Sequence, residues 1–193
     1  MIVKVVVVGT LATNCYIVAA EKGGHAMVVD PGEDAPAIMA ALDEDDLKID
    51  RIVVTHGHFD HTQGAWDLKK ARGGEIYAHP AEDLPGTDRE LADGQEFDID
   101  GLHIKVIQTP GHSRGSCALI ADGAVFSGDL LFTGGVGRTD FPGGSTEELL
   151  NSLDKLRTFP DNTVVYPGHG PATTIGEEKA NNPFMLIRSG NDD

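Results

Sequence analysis

A mixed α/β (α+β) fold is predicted by two patterns that share this chain. Short apolar runs rich in β-branched residues, most of them closed by glycine, proline or aspartate, interleave with segments of helical periodicity. Glycine supplies 24 of the 193 residues, well above the usual ~7%, which adds many tight turns. With 40% hydrophobic residues the chain can build a core, and its length suits one domain over residues 1–193.

The elements follow in order. Residues 3–8 form an opening strand that stops at Gly9, too short for a secretory signal or a membrane span. Strands are expected at 16–18, 27–29 and 51–55; Ile52, Val53 and Val54 are apolar on both faces, as in a strand covered on both sides. In the strand at 102–109, Leu102, Ile104 and Val106 alternate with His103 and Lys105, giving one buried and one wet face. Further strands are expected at 117–120, 124–127 and 163–166. Helices are expected at 35–42, 63–71 and 146–157, the last with Ser145 and Glu148 at capping-box spacing and Leu149, Leu150, Leu153 and Leu156 in one core-facing stripe. Thr174 and Glu177 repeat the box for a last short helix, while the polar segment 79–96 lacks periodicity and reads as a long loop.

Charge narrows the partners. Fifteen Lys and Arg against 31 Asp and Glu give a net charge of −16, which repels phosphate backbones and argues against nucleic acid. Cys15 and Cys117, each among apolar residues and outside any Cys-x-x-Cys pair, read as buried reduced thiols of a cytoplasmic protein with no membrane partner.

The chemistry concentrates in Thr55-His56-Gly57-His58-Phe59-Asp60-His61, three imidazoles and a carboxylate directly after a buried strand. A helix cannot present positions 56 and 58 on one face, whereas an extended loop end can. Three more strands run into Pro110-Gly111-His112, Gly128-Asp129 and Pro167-Gly168-His169. If these ends share one edge, seven ligands converge, too many for one tetrahedral ion and suited to two metals with a bridging carboxylate. Gly111-His112-Ser113-Arg114-Gly115 fits the Gly-x-Ser-x-Gly nucleophile elbow, but a strand-like run follows it where the elbow needs a helix.

The His-x-His-x-Asp-His cluster, followed in order by His112, Asp129 and His169, resembles the metallo-β-lactamase superfamily. Within it, Thr109-Pro110-Gly111-His112-Ser113 and Ser127-Gly128-Asp129-Leu130-Leu131-Phe132 are most similar to short glyoxalase II-like hydrolases. The resemblance implies a four-layer αββα sandwich with metals at one sheet edge. It assigns His56, His58 and His112 to one metal, Asp60, His61 and His169 to the second, and Asp129 to the bridge. Asp60 is also the residue assigned to catalysis. The cofactor expected is two divalent ions, zinc first, with iron or manganese as alternatives. The activity implied is attack of a metal-bridging hydroxide on a thioester or ester, S-lactoylglutathione or a related 2-hydroxyacyl thioester.

The resemblance also implies a substrate contact for Arg138, with a salt bridge to Asp140 as the competing reading. Asp30 is read either as a partner orienting a ligand histidine or as a turn aspartate before Pro31-Gly32. The sequence departs from glyoxalase II in two ways: Thr139-Asp140 stands where an aromatic follows the basic residue, and only 24 residues follow His169, too few for the helical domain that holds glutathione. The same loop resembles persulfide dioxygenases, whose single iron would use His56, His112 and Asp129 here.

Overall fold

The computed structural model describes residues 1–187. Strands β1 (Ile2–Val8), β2 (Thr13–Ala19), β3 (His25–Val29), β4 (Lys48–Val53), β5 (Glu75–Ala78) and β6 (Arg89–Glu90) form one sheet in that order. Hairpin connections make β1–β3 antiparallel, helical crossovers make β3–β5 parallel, and the segment 79–88 brings β6 in parallel to β5. The crossovers are α1 (Ala35–Asp43) and the pair α2 (Phe59–Thr62) and α3 (Ala65–Arg72). The second sheet has β7 (Glu96–Ile99), β8 (Leu102–Gln108), β9 (Cys117–Ala121), β10 (Ala124–Gly128), β13 (Val164–Pro167) and β14 (Thr173–Thr174) in spatial order. A small ribbon of β11 (Leu131–Phe132) and β12 (Gly135–Val136) follows β10, and α4 (Thr146–Arg157), α5 (Ile175–Asn181) and α6 (Pro183–Leu186) complete the described chain.

Three apolar layers hold four structural ones together. Ile38, Leu42 and Leu68 of α1 and α3 pack on Ile17, Val28, Ile52 and Ile76 of the first sheet. Val53, Met27 and Tyr16 meet Ile104, Val106, Leu119 and Phe126 between the sheets. Leu149, Leu153 and Leu156 of α4 cover Ala118, Val125 and Val165 on the far side. The order is α, β, β, α, as the resemblance implied. Ile52 faces the helices while Val53 faces the other sheet, so β4 is covered on both faces. Leu102, Ile104 and Val106 are buried while His103 and Lys105 are exposed.

Half of each predicted capping box forms. The Ser145 hydroxyl accepts the Glu148 N–H and the Thr174 hydroxyl accepts the Glu177 N–H. The expected helix at 63–71 is α3, which begins two residues later, after Gly64, whose N–H donates to the carbonyls of Pro31 and Gly32; the short α2 before it was not expected. The segment 79–96 is not one loop: it holds a 3-10 turn, Pro80–Glu82, and the two-residue β6, both too short and too polar to show periodicity. Among the described residues no helix is long and apolar enough to cross a membrane.

Candidate metal centre

Four strand ends deliver the seven predicted residues to one place. Beyond β4 the chain bends at Thr55 and His56, His58 is extended (φ −67°, ψ 144°), and α2 then carries Asp60 and His61. The turns after β8, β10 and β13 present His112, Asp129 and His169, and the three strands run in the same direction, so their ends share an edge. The His112 turn is pressed against α4. Gly111 sits at φ +135° with no room for a Cβ against the Leu149 backbone, and its carbonyl accepts the Ser145 N–H at 2.8 Å.

The side chains fall into two groups. The ligand atoms of His56, His58 and His112 lie within 4.8 Å of one another, as do those of Asp60, His61 and His169. Asp129 stands between them. Its Oδ2 is 3.5 Å from His112 Nε2, 4.0 Å from His56 Nε2 and 3.7 Å from His169 Nε2, and its Oδ1 is 3.5 Å from His61 Nε2.

The surrounding acceptors aim the rings. His61 Nδ1 meets Asp30 Oδ2 at 3.1 Å, His112 Nδ1 the Arg138 carbonyl at 2.8 Å, and His169 Nδ1 the Leu11 carbonyl at 3.1 Å. Each partner is an acceptor, so each Nδ1 carries a proton and each Nε2 is the nitrogen that faces inward. Asp30 joins both of its sequence readings: it sits in a turn at φ 51°, accepts the Thr55 N–H and hydroxyl at 2.7 Å each, and orients His61 from outside.

Two buried atoms, His56 Nε2 and Asp129 Oδ1, have no hydrogen-bond partner. Orphaned polar atoms at this depth are costly. Five imidazoles and two carboxylates around them form a donor set that fits divalent ions. Burial, with the neighbouring His61 and His112, holds His56 well below the ordinary imidazole range. Burial also opposes the charge of His61, but the charge and hydrogen bond of Asp30, with Asp129 and Asp60, outweigh it and raise His61 to about 9. Burial would raise Asp60, yet the hydrogen bond with His169, the charge of His61 and the Thr13 hydroxyl at 3.0 Å hold its carboxylate far below the usual range.

Sequence reasoning missed Glu82. Its carboxylate accepts the Gly57 N–H, the Gly115 N–H and the Ser113 hydroxyl, all at 2.6 Å, and so ties the loop of His56 and His58 to the loop of His112. No motif marks it, because it lies in the aperiodic segment. Gly57 and Gly115 are the signal that was available, since a Cβ at either would strike Glu82. Glu82→Ala should strand two backbone donors and weaken metal retention by roughly 10–100-fold, as read by chelator competition. Unchanged retention would mean the loops hold without it. Ser113 is thereby committed to Glu82 and Ser116, and β9 rather than a helix follows it, so the elbow motif is a coincidence of sequence.

Arg138 borders the cleft but holds Asp140 with both arms of its fork, Nε to Oδ1 at 2.7 Å and Nη2 to Oδ2 at 2.6 Å. The ion pair that competed with substrate contact is the arrangement present. An aromatic ring still meets the guanidinium: Phe141 lies 3.8 Å beneath it.

Residues 8–169 match the family model of the metallo-beta-lactamase superfamily. The hydroxyacylglutathione hydrolase GloC of Haemophilus influenzae is 33% identical, over 98% of this chain and 100% of that protein. Among solved structures, BLEG-1 B3 metallo-beta-lactamase superposes with a TM-score of 0.88 at 32% identity, covering 96% of this chain and 100% of that one. ETHE1 from Myxococcus xanthus gives 0.88 at 31%, over 95% and 84%. TTHA1623 in a di-iron-bound form gives 0.83 at 35%, over 94% and 99%. The chain belongs to the metallo-beta-lactamase superfamily, as one of its metal-binding hydrolases.

Proposed function

We propose that the chain is a dinuclear metal hydrolase of thioesters or related esters, similar to glyoxalase II. The observation that carries this reading is Asp129, a carboxylate within 4.0 Å of ring nitrogens from both groups. His56, His58 and His112 would hold one ion, Asp60, His61 and His169 the other, and Asp129 would serve both. Two bound ions, zinc first and iron or manganese as alternatives, would lower the pKa of water towards ~7 and polarise a carbonyl. The protein's own part is to hold the donors ready: Asp30 and the carbonyls of Arg138 and Leu11 fix three rings, and Thr13 fixes Asp60.

The leaving group is read from what lines the cleft. Among the described residues its acids are Asp60 and Asp129, both assigned to metal, so none of these side chains remains to protonate a departing amine. A thiolate leaves without that help, which favours thioesters over amides and lactams. The name of GloC, a hydroxyacylglutathione hydrolase, supports a hydroxyacyl thioester. Two free, buried cysteines fit a reducing cytoplasm.

Elemental analysis of the metal-replete protein, with paired assays, tests the reading. Two ions per chain, cleavage of S-lactoylglutathione or a simpler 2-hydroxyacyl thioester, and no oxygen uptake with glutathione persulfide are expected. Iron-dependent oxygen uptake without thioester cleavage would make the protein a dioxygenase instead.

A further inference from the structure

The cleft over the metal centre has a volume of about 480 Å³ and, apart from the candidate ligands, is walled by Leu11, Phe59, Phe132, Val136, Phe141 and Arg138. Leu11, Phe59 and Phe141 are 52%, 56% and 42% exposed. Apolar side chains exposed singly need no explanation, but three around one mouth make a patch suited to an apolar ligand. The patch reaches both halves of the centre. Phe141 stands edge-on to His58 with centroids 5.6 Å apart, and Phe132 stands edge-on to His169 at 6.1 Å.

Among the described residues the walls offer no free positive charge. Arg138 is the cation that the described residues supply; Asp140 occupies its fork and Phe141 covers one face. The chain as a whole carries −16, which further disfavours an anion beyond the reach of the metals. We infer that the cleft binds an uncharged alkyl or aryl acyl group beside the scissile carbonyl. This rests on the hydrolase reading, and within it shifts the preferred substrate from 2-hydroxyacyl-glutathione towards apolar acyl thioesters of small neutral thiols.

The test is a series of straight-chain thioesters of one neutral thiol, acetyl to octanoyl, with the lactoyl and succinyl thioesters of the same thiol. Binding of the matching alkanoates to the metal-replete protein is measured by calorimetry in parallel. kcat/KM should rise about fourfold per methylene until the cleft fills, the value of ~0.8 kcal/mol for each buried methylene. Succinyl should fall below butanoyl, and Leu11→Ala and Phe141→Ala should each flatten the slope. Arg138→Ala should affect succinyl and butanoyl substrates equally. A flat or falling series, or a preference for lactoyl or succinyl, overturns the inference and leaves the hydrolase standing. If no thioester is cleaved, the hydrolase reading falls and the alkanoates decide: affinity rising with chain length upholds the apolar subsite, and a flat series overturns it.

Discussion

Asp129→Ala should lower kcat/KM by more than ~100-fold, beyond the 10–100-fold typical of groups that only orient a ligand. The same substitution should reduce bound metal below two ions per chain. Asp129 is the carboxylate that faces both groups, with Oδ1 towards His61 and Oδ2 towards His56, His112 and His169. Its removal leaves two cationic sites facing each other with no negative charge between them. The packing shows how closely the carboxylate is set, since any side chain at Gly168 would collide with its Oδ1 and one at Gly137 with its backbone. Asp129 belongs to none of the apolar layers, so thermal melting of the metal-free variant should stay near that of the metal-free parent. Activity within tenfold of the parent, with full metal content, would remove Asp129 from the shared position and the two-ion reading with it.

How far the sequence carried this depends on range. Strands such as β8 are legible because alternation of Leu102, Ile104 and Val106 with His103 and Lys105 is a local consequence of one buried face. The stripe on α4 is legible for the same reason at a different period. The strand ends were legible as ligand positions because each puts a histidine or aspartate after a turn. Their convergence depended on strand direction, which a spacing pattern does not contain. β6 was illegible: its residues Arg89 and Glu90 are both exposed, and it exists only by pairing with Tyr77 and Ala78. Glu82 was illegible because its three partners lie 25 to 33 residues away in sequence. Arg138 was half legible. The sequence placed it beside the site, but the choice between Asp140 and a substrate is one of rotamer and geometry, which only coordinates resolve.

The second large effect separates two-ion hydrolysis from one-iron chemistry. His169 is fixed by the Leu11 carbonyl on one side, while its Nε2 lies 3.3 Å from both Asp60 Oδ2 and His61 Nε2. Substitution by alanine therefore takes one of three donors from the second group and leaves His56, His58 and His112 untouched. On the hydrolase reading, His169→Ala should cut thioester turnover by more than ~100-fold and lower the metal content towards one ion per chain. Asp60→Asn should do the same with little change in size, because an amide neither carries the charge that Asp60 holds at neutral pH nor replaces it as an acceptor for Thr13 and a metal together. A single-iron enzyme built on His56, His112 and Asp129 has no need of either residue. It should retain most of its iron and much of its activity in both variants. Metal analysis and turnover of the same two preparations thus distinguish the mechanisms, since joint loss requires the second group and joint retention excludes it.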